Sequence, residues 1–110
     1  MPHANGQETT ARDNAIQAAT RVAAEAPLLV AVVTVALFEQ LGQLEAIAAA
    51  SMRSDLQVAR FMAAAGARGS LANVEINLDS LQDPEFVSQA KAKISALREL
   101  LENIQAAQMK

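Results

Sequence analysis

The sequence has no cysteine, no tryptophan and no tyrosine, and it has one histidine and three phenylalanines. Without cysteine there is no disulfide, no thiol nucleophile, no cysteine zinc site and no iron–sulfur cluster. With a single histidine, His3, and no cysteine, neither a Ser–His nor a Cys–His nucleophile pair can be assembled with a rigidly placed base. His3 lies in a polar leader, and catalytic groups need rigid surroundings. Few aromatics means no stacking platform for single-stranded nucleic acid.

An excess of basic charge is also missing. Net charge is −3. Residues 1–66 hold four Arg against six acids, and residues 67–110 hold five basic residues against six acids. Neither half offers the basic field that nucleic acid or an anionic membrane requires. The first residues show no basic segment leading into an apolar core, so no Sec signal is expected and the cytoplasm is the default compartment.

What is present is alanine and helical periodicity. Apolar residues make up 52% of the 110-residue chain, with runs such as Ala48–Ala50 and Ala63–Ala65. Alanine loses no side-chain entropy in a helix, but it buries little area. Residues 1–8 read as a flexible tail and residues 9–110 as a single helical domain. A first helix is expected over 9–26, with Thr10 and Asp13 as an acidic capping box. Pro27 then either breaks that helix or kinks one longer helix. A second helix is expected over 27–66, on a stripe including Val30, Leu37, Leu41, Leu44, Asp55, Val58 and Met62, with Gly66 as its C-cap. Asp55 is the one charge in that stripe; set in a seam, it would serve to fix register or partner choice.

Residues 67–82 are expected to form a crossover loop. Within it, Val74–Leu78 alternates apolar and polar residues, so a short strand over 74–78 competes with a helical stripe through Leu71, Val74 and Leu78. The third helix, 83–108, has the clearest start: Asp83 as N-cap, Pro84 in the first turn and Glu85 against the dipole. Its apolar stripe is Val87, Ala90, Ile94, Leu97, Leu101 and Ile104. The fold class is therefore all-α, three helices in a long hairpin or coiled-coil-like bundle, with the third helix folded back antiparallel on the second.

The run from Ala26 to Phe38 is apolar on every side, yet shorter than the about twenty residues a membrane span needs. Such a helix must be covered all round. The expected covering is a second copy of the chain, as a homo-oligomer, or a helical protein partner. The expected interface comprises Leu29, Val30, Val33, Leu37, Phe38, Leu41 and Leu44 of the second helix with Val87, Ile94, Leu97, Leu101 and Ile104 of the third. No catalytic, cofactor-binding or metal-ligating residue is expected. Glu39, Glu45 and Asp55 lack the Glu-x-x-His partner of a di-metal bundle, and read as solvated or interface-facing. Gly66-Ala67-Arg68-Gly69-Ser70 follows a helix and lacks the Gly-Lys-Ser/Thr ending of a phosphate loop. Lys91, Lys93 and Arg98 are offset by Glu85, Glu99 and Glu102. On these grounds the chain reads as a non-enzymatic interaction module, neither binding nucleic acid nor entering membranes. The alternatives are a membrane-active protein inserting residues 26–50 and an exported subunit of a secretion apparatus.

Overall fold

The computed structural model describes residues 6–108. The order of elements is α1 (Gly6–Ile47), a single 3-10 turn (Ala50–Met52), α2 (Arg53–Leu78) and α3 (Pro84–Gln108). There is no strand among the described residues, so the all-α, three-helix class holds. The boundaries differ from those the sequence suggests, and each difference has a physical cause. The tail expected over 1–8 is helical from Gly6 on; residues 1–5, with His3, lie outside the described residues.

Pro27 neither breaks α1 nor ends it. Proline lacks the N–H that would bond to the carbonyl four residues back. That carbonyl belongs to Ala23, and it accepts a hydrogen bond from Nδ2 of Asn77 on α2, 3.1 Å away. A tertiary contact thus replaces the missing helical bond, and the helix runs on. Thr10 is not a cap either: its hydroxyl bonds back to the carbonyl of Gly6 at 2.8 Å, inside the helix.

The long second helix expected over 27–66 is instead divided at residues 48–52. Ala49 leaves the helix with extended backbone (φ −61°, ψ 149°), and Met52 N–H closes a turn on the Ala49 carbonyl at 2.9 Å. Alanine propensity favours continuation here. Folding back wins because it buries Leu56, Ala63, Ala64 and Ala67 of α2, the last three in one cluster with Val35 and Phe38 of α1. Gly66 and Gly69 then lie inside α2 with no positive φ. The expected C-cap, crossover loop and strand over 67–78 are all helix. Leu71, Val74 and Leu78 are 0%, 0% and 3% exposed, so their helical spacing, rather than the alternation of Val74–Leu78, matches the buried face.

The connection from α2 to α3 is pinned to α1. Gln17 uses both ends of its amide, donating to the Ser80 carbonyl at 3.1 Å and accepting from Gln82 N–H at 2.8 Å. Asp83 caps α3 as expected: its Oδ1 accepts from Phe86 N–H at 3.2 Å. Arg21 bridges Glu25 and Asp83 and lies 4.5 Å from the Phe86 ring centroid. The core has two parts. Ala24, Leu28, Ala31, Leu71, Val74, Leu78, Ala90 and Ile94 form one. Val35, Phe38, Ala63, Ala64, Ala67 and Leu101 form the other, nearer the hairpin turn. Burying a leucine such as Leu71 or Leu101 fully contributes about 2–3 kcal/mol.

α1 is long and apolar enough to cross a membrane by length and composition alone, whereas the sequence measured only the run within it. Its apolar window is 28% buried within the subunit, through residues that pack on α2 and α3.

Candidate acid–base cleft at the hairpin turn

Of the residues expected at an interface, three lie in the chain's own core: Phe38, Ile94 and Leu101. Leu41, Val87, Leu97 and Ile104 are half-buried against it. Leu29, Val30, Val33, Leu37 and Leu44 are exposed, from 44% for Leu37 to 66% for Leu29. The expected set therefore mixes two functions, holding the subunit together and facing outward. Asp55 is exposed in the first turn of α2 rather than set in a packed seam.

The best-organised polar group lies at the turn between α1 and α2. A cleft of about 370 Å³ is lined by Gly42, Glu45, Ala46, Arg53, Gln57 and Arg60. Hairpin closure brings Glu45, near the end of α1, over the second turn of α2. Its Oε2 accepts from Arg60 Nη1 at 2.5 Å and its Oε1 from Gln57 Nε2 at 3.4 Å. The side chains of Arg60 and Glu45 are only 15% and 20% exposed, so this pair is shielded more than an ordinary surface ion pair. The Arg60 guanidinium also sits 5.1 Å from the Phe38 ring centroid, which ties the cleft to the core. Its Nε is buried and has no hydrogen-bond partner. The cleft thus offers one carboxylate held by a guanidinium, with Arg53 also on its wall.

A second polar group, Glu75 with Arg98, lies between α2 and α3 beside Lys91 and Asp79. The hydrogen bond from Arg98 holds the Glu75 carboxyl below the usual carboxylate range, and the same bond raises Arg98. Both side chains are more than 40% exposed, so solvent weakens the pair. No cluster of three or more metal-ligating side chains occurs among the described residues.

Sequence reasoning passed over Glu45 because its partners are 12 and 15 residues away across a turn that alanine propensity hides. The available signal was indirect: Glu45, Arg53, Gln57 and Arg60 are all polar residues flanking an alanine-rich stretch that a hairpin would bring together.

Fold and cleft together define an all-helical protein whose hairpin turn carries a partly shielded carboxylate–guanidinium pair. Comparison with known proteins gives the family: the profile of the Formiminotransferase-cyclodeaminase family matches residues 1–96, and the chain belongs to it. Formimidoyltransferase-cyclodeaminase of Sus scrofa is 33% identical over 97 residues. That match takes in 88% of this chain but 18% of the relative's length. No solved structure matches the chain significantly.

This membership overturns the reading of the chain as a non-enzymatic interaction module, and the membrane-active and secretion-subunit alternatives with it, because the family is that of an enzyme. The argument from missing histidine and cysteine fails for a plain reason. It excludes nucleophile pairs, whereas general acid–base chemistry runs equally well on a carboxylate. Membership accords with a soluble protein.

Proposed function

We propose that the chain is a helical part of a cyclodeaminase-type enzyme and that Glu45 moves the proton in its ring closure. The observation that carries the proposal is the family match over residues 1–96; the Glu45 cleft supplies a suitable place.

A formimidoyl group on an amine is a planar amidinium, N–CH=NH2+. In cyclodeamination a neighbouring N–H in the same molecule attacks the amidinium carbon. One C–N bond forms, the bond to the original =NH2+ nitrogen breaks, and ammonia leaves. The product is a cyclic amidinium, so charge is conserved. Ammonia needs three hydrogens: two were on the leaving nitrogen and the third comes from the attacking one. No net proton is released, and a single carboxylate serves as base in the first half and acid in the second.

Glu45 suits this work. It already holds planar N–H donors at both oxygens, and an amidinium presents the same planar donor pair as a guanidinium. The substrate displaces the long Gln57 contact, while Arg60 keeps the carboxylate oriented. The proposed compartment is the cytoplasm, in keeping with a chain free of cysteine.

The test is ammonia release from N-formimidoyl ethylenediamine, which closes to an imidazoline. The full chain should accelerate closure over buffer, and Glu45→Gln should lower kcat/KM by about 10²-fold or more with helicity unchanged. No acceleration by the wild type, or equal rates for Glu45→Gln, would reject the assignment.

A further inference from the structure

A groove of about 440 Å³ runs between α1 and α3 and shares no residue with the Glu45 cleft. The two helices run parallel here. Arg21 meets Asp83 at one end, and Phe38 shares a core cluster with Leu101 at the other. α1 lines the groove with Leu28, Leu29 and Val32, and α3 with Phe86, Ala96 and Leu97. An apolar lining with few polar groups, at this volume, is the composition of a small-molecule site. Both walls belong to this chain.

Two charged side chains complete the lining, Glu25 and Lys93, and they are not equivalent. Glu25 accepts a hydrogen bond from Arg21 Nε at 2.9 Å, so its charge is already matched. Lys93 has no ion pair or hydrogen bond among the described residues. Its own helix offers none: the positions three and four residues away, where a helical partner would stand, are Gln89, Ala90, Ala96 and Leu97. The balance of Lys93 against Glu85, Glu99 and Glu102 in the sequence therefore has no counterpart in contacts. Lys93 stands two turns beyond Phe86, about 10 Å along the axis. The groove thus combines an apolar wall with one unmatched positive charge.

We propose that this groove binds a free medium-chain aliphatic carboxylate, its head on Lys93 and its chain lying toward Phe86. Charge selects the head. Lys93 is the cation without a partner, and Glu25, one turn from the Arg21 that covers the Phe86 ring, keeps a second carboxylate away from that end. The wall selects the tail, because burying hydrocarbon against Leu28, Leu29 and Leu97 supplies the affinity. An uncharged apolar segment would gain nothing from Lys93. The site is independent of the ring-closing activity.

Isothermal titration calorimetry of the full chain with decanoate tests it, with acetate and decylammonium as probes of chain length and charge. Decanoate should bind, acetate should not, and decylammonium should bind about tenfold or more weakly than decanoate. Lys93→Glu should weaken decanoate binding about tenfold. Lys91→Glu makes the same charge change beside Glu75 and should leave it unaltered. Val32→Trp, at a position 45% exposed, should fill the groove and abolish binding with helical circular dichroism retained. Absence of decanoate binding to the wild type overturns the proposal. So does equal binding of decanoate and decylammonium, the behaviour of a groove that takes an uncharged apolar segment. Equal losses in Lys93→Glu and Lys91→Glu would reflect net charge alone, and binding that survives Val32→Trp would place the ligand elsewhere; either result also overturns it.

Discussion

At the scale of single residues, the contact between Asn77 and the Ala23 carbonyl explains the largest departure from local rules. A proline in a helix interior costs about 3 kcal/mol or more, partly through the carbonyl it leaves unpaired. Here that carbonyl is bonded across the hairpin. Asn77→Ala should therefore destabilise by about 0.5–1.5 kcal/mol, the net worth of a hydrogen bond that water can partly replace at this exposed site, measured by urea denaturation followed at 222 nm. Pro27→Ala restores the helical N–H to the same carbonyl, so Asn77→Ala should cost distinctly less in that background. Equal losses in both backgrounds would mean the two residues are not coupled. Nothing at Asn77 announces this role in the sequence. Donor and acceptor are 54 positions apart, and no local pattern encodes such a pairing. The same holds for Glu45 and Arg60, whose separation of 15 residues across a turn hid the candidate site.

At the scale of elements, α3 was legible and α2 was not. Asp83, Pro84 and Glu85 are start signals that act through backbone groups within one turn, so no tertiary information was needed. The limits of α2 depend on tertiary burial. Ala48 and Ala49 look helical and are not; Gly66 and Gly69 look like a stop and are helical. In both cases the gain from packing Ala63, Ala67, Leu71 and Val74 exceeds a local preference of about 1 kcal/mol. The glycines consequently retain their propensity cost. A Cβ at Gly66 would meet Thr34 Cγ2 at 3.7 Å, an ordinary contact. Gly66→Ala should raise stability by about 0.5–1 kcal/mol, seen as a higher urea midpoint at unchanged slope. A fall in the midpoint would show that the α1–α2 contact has no room for a methyl group.

At the scale of the whole molecule, the number of helices and their class followed from periodicity, while the covering of the apolar run did not. The sequence assigned Phe38, Ile94 and Leu101 to the outside of the subunit together with Leu29 and Val33, because a helix apolar all round gives no sign of which side its own chain will cover. The structure separates the two groups.

The core also has a gradient along its length. The last buried residue of α1 is Phe38, and the part of the core nearest the turn relies on alanines from α2. Glu45 lies beyond it, held by hydrogen bonds from Gln57 and Arg60. Segments with few buried apolar contacts open at lower free energy than the rest of a protein. Opening of the hairpin tip is therefore expected to cost less free energy than opening of the far half of the bundle, around Leu71 and Val74.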